Sequence, residues 1–259
     1  MVPTRRFHYS NPTVRQVAIE SEFEHEREWP LTAFGAIHER VAEWLPSVSQ
    51  RITATINPSP PAADEREGPP NALVAEVEVR FMSPDGELEA AVRPRKLSLA
   101  HVREQGHSYL GWRQLRDAYL RLRDAYAEAT GAAAATSMAV DYVNEIAGVA
   151  LERIPRLLAL WPETSQGLQG EAQGFIAGVE LQRGQGDLRV TLRGWPRPEP
   201  HVYLLLSYSR GLKPPCPLPG MQAALDEGHE AAYELFEELV TDELRGLMGG
   251  SQEDEHDGD

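Results

Sequence analysis

The residues best suited to chemistry are scattered along this chain. His25 opens the run His25-Glu26-Arg27-Glu28, and a second His-Glu pair stands at His38-Glu39. Imidazoles and carboxylates suit a divalent metal. A helical zinc-protease site, however, needs His-Glu-x-x-His, since a spacing of four puts both imidazoles on one face. Neither pair has the second histidine, so both read as solvated polar positions near the first helix, and no metal ligand set is expected. Gly184-Gln-Gly186 lacks the third glycine and the Lys-Ser/Thr of a phosphate loop, and it separates two strand-like runs, which makes it a hairpin turn. There is no Gly-x-Ser-x-Gly. The only cysteine, Cys216, cannot form an intramolecular disulfide, and its setting, Lys213-Pro-Pro-Cys216-Pro-Leu-Pro, offers no activating base. With 40 Asp and Glu, carboxylate pairs are inevitable and therefore uninformative. No catalytic residue and no cofactor follow from these patterns.

Charge segregation is the exception. The net charge is −15, yet residues 80–123 carry nine basic against five acidic side chains. Arg80, Arg93, Arg95, Lys96, Arg103, Arg113 and Arg116 are the candidate binding residues, for a phosphate-bearing or a protein partner. Arg93 and Arg95 are expected on one face of a strand, with Pro94 marking that strand as an edge or a bulge. The competing reading is a solvated edge guarded by charge, with the helix arginines near acids of the other half of the chain.

The elements that must position these residues follow from hydropathy and turn residues. Alternation predicts strands over 16–23, 51–56, 72–81, 88–99, 137–146, 175–182, 188–193 and 201–209. Ser83-Pro-Asp-Gly86 has hairpin-turn chemistry. Three- and four-residue steps of Leu31, Phe34, Ile37, Val41 and Leu45 predict a first helix, ended by Pro46. Trp112, Leu115, Tyr119, Leu122 and Tyr126 form one stripe of a long helix over 108–129, and Gly131 stops it. A short helix is expected over 151–160 and a last long helix over 221–248. Residues 57–71 read as a Pro- and charge-rich loop, and 249–259, GGSQEDEHDGD, as a disordered acidic tail. The order strand, helix, three strands, helix occurs twice, and Ala18-Ile-Glu and Ala139-Val-Asp echo each other. The expected fold is therefore α+β: two pseudo-repeated halves, 1–131 and 132–248, sharing a mainly antiparallel sheet under two long helices.

Three motifs carry a resemblance. Tyr9-Ser-Asn11-Pro12-Thr-Val leads into the first strand, Asp141-Tyr142-Val143-Asn144-Glu145-Ile146 lies mid-chain, and His229, Phe236, Thr241, Asp242 and Arg245 fall near the end. In this order they resemble a sporadically distributed bacterial family of uncharacterised proteins of about this length. Thr13 and Asp141 depart from the family's proline and arginine. The resemblance covers essentially the whole chain and implies a full-length domain without established catalytic residues, in a setting of mobile or defence-linked genes.

The functional expectation is a non-enzymatic interaction or regulatory module with a protein partner. Nucleic-acid or nucleotide binding through 80–123, and a small-ligand pocket between sheet and helices, are the alternatives. No apolar run reaches the ~18–20 residues that span a bilayer, and the N-terminus has no apolar stretch behind its arginines. A cytoplasmic protein without a membrane partner is expected, with homo-oligomerisation left open.

Overall fold

A computed structural model describes residues 7–25, 29–30, 32–56, 73–103, 109–149, 153–160, 175–195 and 201–252. The loop 57–71, the acidic run 253–259, and parts of the first and third predicted helices lie outside the described residues.

Nine strands form one antiparallel sheet. In chain order they are β2 (Val14–Glu24), β3 (Ser47–Ile56), β4 (Leu73–Met82), β5 (Leu88–Arg93), β6 (Lys96–Val102), β7 (Ala134–Ala147), β8 (Phe175–Arg183), β9 (Gly186–Trp195) and β10 (His201–Pro217). Their order across the sheet is β3-β4-β5-β6-β2-β7-β10-β9-β8. Among the described residues there are five α-helices: α1 (Ala33–Val41), α2 (Trp112–Thr130), α3 (Ile154–Leu157), α4 (Met221–Leu239) and α5 (Asp242–Leu247). A separate two-stranded ribbon pairs β1 (Phe7–Tyr9) with β11 (Gly250–Gln252).

The predicted alternation decides which face is buried. Val17, Ile19 and Phe23 of β2, Leu97 and Leu99 of β6, Val140 and Tyr142 of β7, and Leu204, Leu206 and Tyr208 of β10 point to one side and are buried. Their odd-numbered or even-numbered neighbours remain partly accessible on the other side. Helix α2 covers β6, and α4 covers β7 and β10. The α2 stripe closes the core with Leu115, Tyr119, Leu122 and Tyr126, all fully buried. Gly131 ends the helix in the left-handed conformation, which glycine adopts without a Cβ clash. None of the described helices is long and apolar enough to cross a membrane.

Several expectations are corrected. The strand expected over 88–99 is two strands, so the first part of the chain supplies four strands after α1 rather than three. Arg93 pairs with Lys96 across a tight turn in which Arg95 has φ 68°. Pro94 has a fixed φ and no N–H, and it starts a turn here rather than marking a strand edge. Arg93 and Arg95 therefore do not share a strand face. Strand β10 runs on through the proline segment expected to be a connection, with a register shift between Gly211 and Cys216 that accommodates the prolines.

The last helix breaks after Leu239. Val240 turns extended and bridges Leu158, and Thr241 caps α5 through its hydroxyl, which accepts from the Leu244 N–H at 3.4 Å. The beginning of the acidic tail is ordered: Gly249, at φ 65°, turns the chain so that 250–252 pair with β1. Composition could not show this, because the backbone of β1 supplies the hydrogen bonds.

Candidate functional site

The segment between β1 and β2 crosses over the helix side of the sheet and is tied down at both ends. Asn11 N donates to Met248 O at 2.9 Å, and Glu145 N donates to Thr13 O at 2.8 Å. The Thr13 hydroxyl reaches Asn144 Oδ1 at 3.1 Å, and the buried Asn144 donates to Leu204 O at 3.4 Å. Beneath this segment lies a cavity of about 860 Å³. Its floor is Tyr142, Asn144 and Leu206; its walls are Tyr109 and Trp112 on one side and His229, Tyr233 and Phe236 of α4 on the other. The four- and three-residue steps from 229 to 233 to 236 put those side chains on one helix face. Arg103, just past β6, also lines the cavity.

The lining is polar where its aromatic groups meet. The Tyr142 hydroxyl lies 2.6 Å from His229 Nδ1. The imidazole stacks on the Trp112 indole at 4.5 Å and 12°. Trp112 Nε1 donates to Asp226 at 2.7 Å, and Arg116 holds both oxygens of that carboxylate at 2.9 Å. Burial, reinforced by nearby Tyr109, raises the Tyr142 pKa well above the ordinary phenol value. Burial also pushes Tyr109 up to about 12. The Tyr109 hydroxyl is shut off from solvent beside Tyr142 without a hydrogen bond of ordinary geometry. Both phenols are therefore neutral at physiological pH.

A latch closes the outer end. Tyr9 donates its hydroxyl to Glu237 at 2.7 Å, and Arg245 donates to the same carboxylate at 3.2 Å and to the Glu237 carbonyl at 2.6 Å. Arg245 also meets Asp242 at 2.9 Å, the i, i+3 pair expected from sequence, and its guanidinium sits 5.0 Å over the Phe7 ring. Phe7 N donates to the Tyr233 hydroxyl at 2.9 Å. Burial, with the charge and hydrogen bond of Glu237, raises the Tyr9 pKa. Together these contacts clamp β1 onto α4 and α5.

The candidate basic residues do not form one surface. Arg80, Arg93 and Lys96 lie on the sheet face that α2 and α4 leave uncovered. There Arg80 pairs with Glu78 and Glu89, Arg93 with Glu78, and Lys96 with Glu20 at 2.7 Å. Glu78 is only 4% exposed. Burial alone would raise its pKa, but hydrogen bonds from Arg80 and Arg93 outweigh it and hold the carboxyl below its ordinary value. Such cross-strand opposite charges stabilise the sheet and occupy donors that a phosphate would use. Arg95 is exposed at the β5–β6 turn. Arg113 and Arg116 line a second cleft of about 540 Å³ at the start of α2, which shares Trp112 and His229 with the main cavity. Arg103 alone of the seven lines the main cavity.

The histidines considered as ligands have other surroundings. His25 Nε2 lies 2.9 Å from the Tyr126 hydroxyl in a cluster with Trp29, and burial lowers its pKa. His38 stacks on Phe81 and faces Pro46 O at 3.3 Å. Among the described residues no group of three or more His, Cys, Asp or Glu could hold a metal.

Sequence reasoning missed Tyr109 and Tyr233, and it placed Trp112 and Phe236 as core residues. Both rings are only partly buried, because they wall the cavity. A second aromatic stripe on the last helix, offset from Leu225, Ala232 and Leu235, was the available signal. The motif residues Tyr9, Asn11, Pro12, Tyr142, Asn144, His229 and Phe236, far apart in sequence, all line this one cavity. Neither known protein-family models nor curated proteins match this chain.

Proposed function

We propose that the chain is a ligand-binding regulatory module whose cavity between the sheet and helices α2 and α4 takes a small organic molecule. The observation that carries this reading is the convergence of three distant segments on one aromatic-lined cavity of about 860 Å³. That volume lies within the range of small-molecule sites, which combine apolar walls with a few placed polar groups. The Tyr142–His229 pair supplies such groups, and the latch at Tyr9, Glu237 and Arg245 fixes the outer wall.

The strand order also supports two related halves. Each part contributes its first strand to the centre of the sheet, β2 and β7, and sets its own last strand beside it, β6 and β10. A protein partner remains the second reading. The strands at the two ends of the sheet expose large apolar side chains, Ile52 at 64% and Ile176 at 72%, and unpaired strand edges recruit partners.

Equilibrium dialysis of the full chain against the small-molecule fraction of a cell extract, with mass spectrometry of what is retained, tests the proposal. The chain should enrich one compound class, and His229→Ala should lose it. Equal retention by both proteins, or retention of nothing, would count against the cavity. Salt-sensitive retention of RNA or DNA would favour the arginine-rich region instead.

A further inference from the structure

Arg103 differs from most arginines of this protein. Arg80, Arg93, Arg116, Arg123, Arg183, Arg210 and Arg245 each meet a carboxylate. Arg103 lines the cavity and makes no ion pair among the described residues. Its backbone is fixed: Arg103 N donates to Arg15 O at 2.8 Å, and the Arg15 guanidinium donates to Arg103 O. Arg15 is itself held by Glu145 at 3.7 Å, so Arg103 feels a neighbouring cation together with that cation's own carboxylate partner. Burial, and then the Arg15 charge, pull the Arg103 pKa below its ordinary value against a smaller opposite pull from Glu145. Among the described residues no acceptor is hydrogen-bonded to this guanidinium, and its planar fork matches a carboxylate.

The rest of the lining defines what the acceptor is attached to. Trp112, Tyr233, Phe236 and Tyr9 present ring surface, which favours a flat aromatic body. Helix α2 opens at the cavity rim with Gly111 at φ 85°, no side-chain cap and no acidic residue in its first turn. The positive end of that helix favours an anion at the rim, where Asp226 already meets Trp112 and Arg116 on the side of the second cleft. The single guanidinium on this lining balances one negative charge, and Glu230 on the same lining opposes a second.

Resting on the pocket reading above, we propose that the cavity takes an aromatic monocarboxylate, its ring against the Trp112–Phe236 walls and its carboxylate on the Arg103 guanidinium.

Three probes with one ring system test this by isothermal titration on the full chain: naphthylacetate, naphthylacetamide and naphthyl phosphate. A charged hydrogen-bonded contact should make the carboxylate roughly tenfold or more tighter than the amide. In Arg103→Met that preference should vanish while the amide still binds, which also shows that the variant is folded. If carboxylate and amide bind the native chain equally, the anion assignment fails and the pocket stands. A preference that survives Arg103→Met removes Arg103 from the site. Tighter binding of the phosphate overturns the monoanion. Failure of all three probes to bind at millimolar concentration overturns the pocket as well.

Discussion

Arg245 makes two ion pairs of very different worth, and separating them tests the latch. Its partner Asp242 is fully exposed, whereas Glu237 is 6% exposed and also accepts the Tyr9 hydroxyl. Removing the cation from a buried pair strands the remaining charge, at a cost of about 3–5 kcal/mol. Arg245 is itself 20% exposed and Glu237 keeps the Tyr9 hydrogen bond, so Arg245→Ala should fall at the lower end, about 3 kcal/mol. Asp242→Ala should leave stability unchanged within error, because an exposed carboxylate is solvated with or without its partner. Changing Glu237 to Gln in the Arg245→Ala background removes the stranded charge and should restore about 1 kcal/mol or more. Urea denaturation of the four proteins, followed by far-UV circular dichroism, provides the numbers. Equal, small effects of Arg245→Ala and Asp242→Ala would refute the claim that Glu237 is a buried anion held by Arg245. A double variant weaker than Arg245→Ala alone would refute the stranded-charge explanation.

Ending the chain at Gly249 removes β11 and leaves β1 unpaired, so the melting temperature should drop by several degrees. Ending it at Gln252 removes no described contact and should change little; the same loss in both would show that 253–259 carries the stability. Seven tyrosines have raised pKa values, with burial the leading cause, and Tyr109 and Tyr208 reach about 12. A phenol held neutral in the fold stabilises it fully below its unfolded value of about 10, and that contribution is lost as pH rises from there through the folded value. Ultraviolet titration should therefore show most phenolates appearing only above pH ~10, together with loss of structure; normal, reversible ionisation of most tyrosines in the folded chain would contradict this. Strand β7 pairs with both β2 and β10, so urea should unfold the full chain in one transition, and neither 1–131 nor 132–250 should fold alone. A dispersed NMR spectrum from either fragment would establish separable domains.

The elements were legible because each leaves a local record. Alternation in 16–23 and 201–209 and the stripe from Leu115 to Tyr126 become buried faces as predicted, since side-chain direction follows backbone geometry over a few residues. Hairpin turns at Gly86 and Gly184 and the stop at Gly131 were readable because their positive φ selects glycine. Pro94 was ambiguous: the same fixed φ suits a strand edge or a turn, and the pairing of Arg93 with Lys96 decided for a turn. The tertiary structure alone determined the partners. Tyr9 meets Glu237 across 228 positions, Thr13 meets Asn144 across 131, and Trp112 meets Asp226 across 114. No local pattern encodes such pairings in a chain with 40 acidic residues. For the same reason the sequence showed a basic excess over 80–123, but only the fold distributed it, placing Arg80, Arg93 and Lys96 in ion pairs with carboxylates and Arg103 on the cavity lining with no ion pair among the described residues.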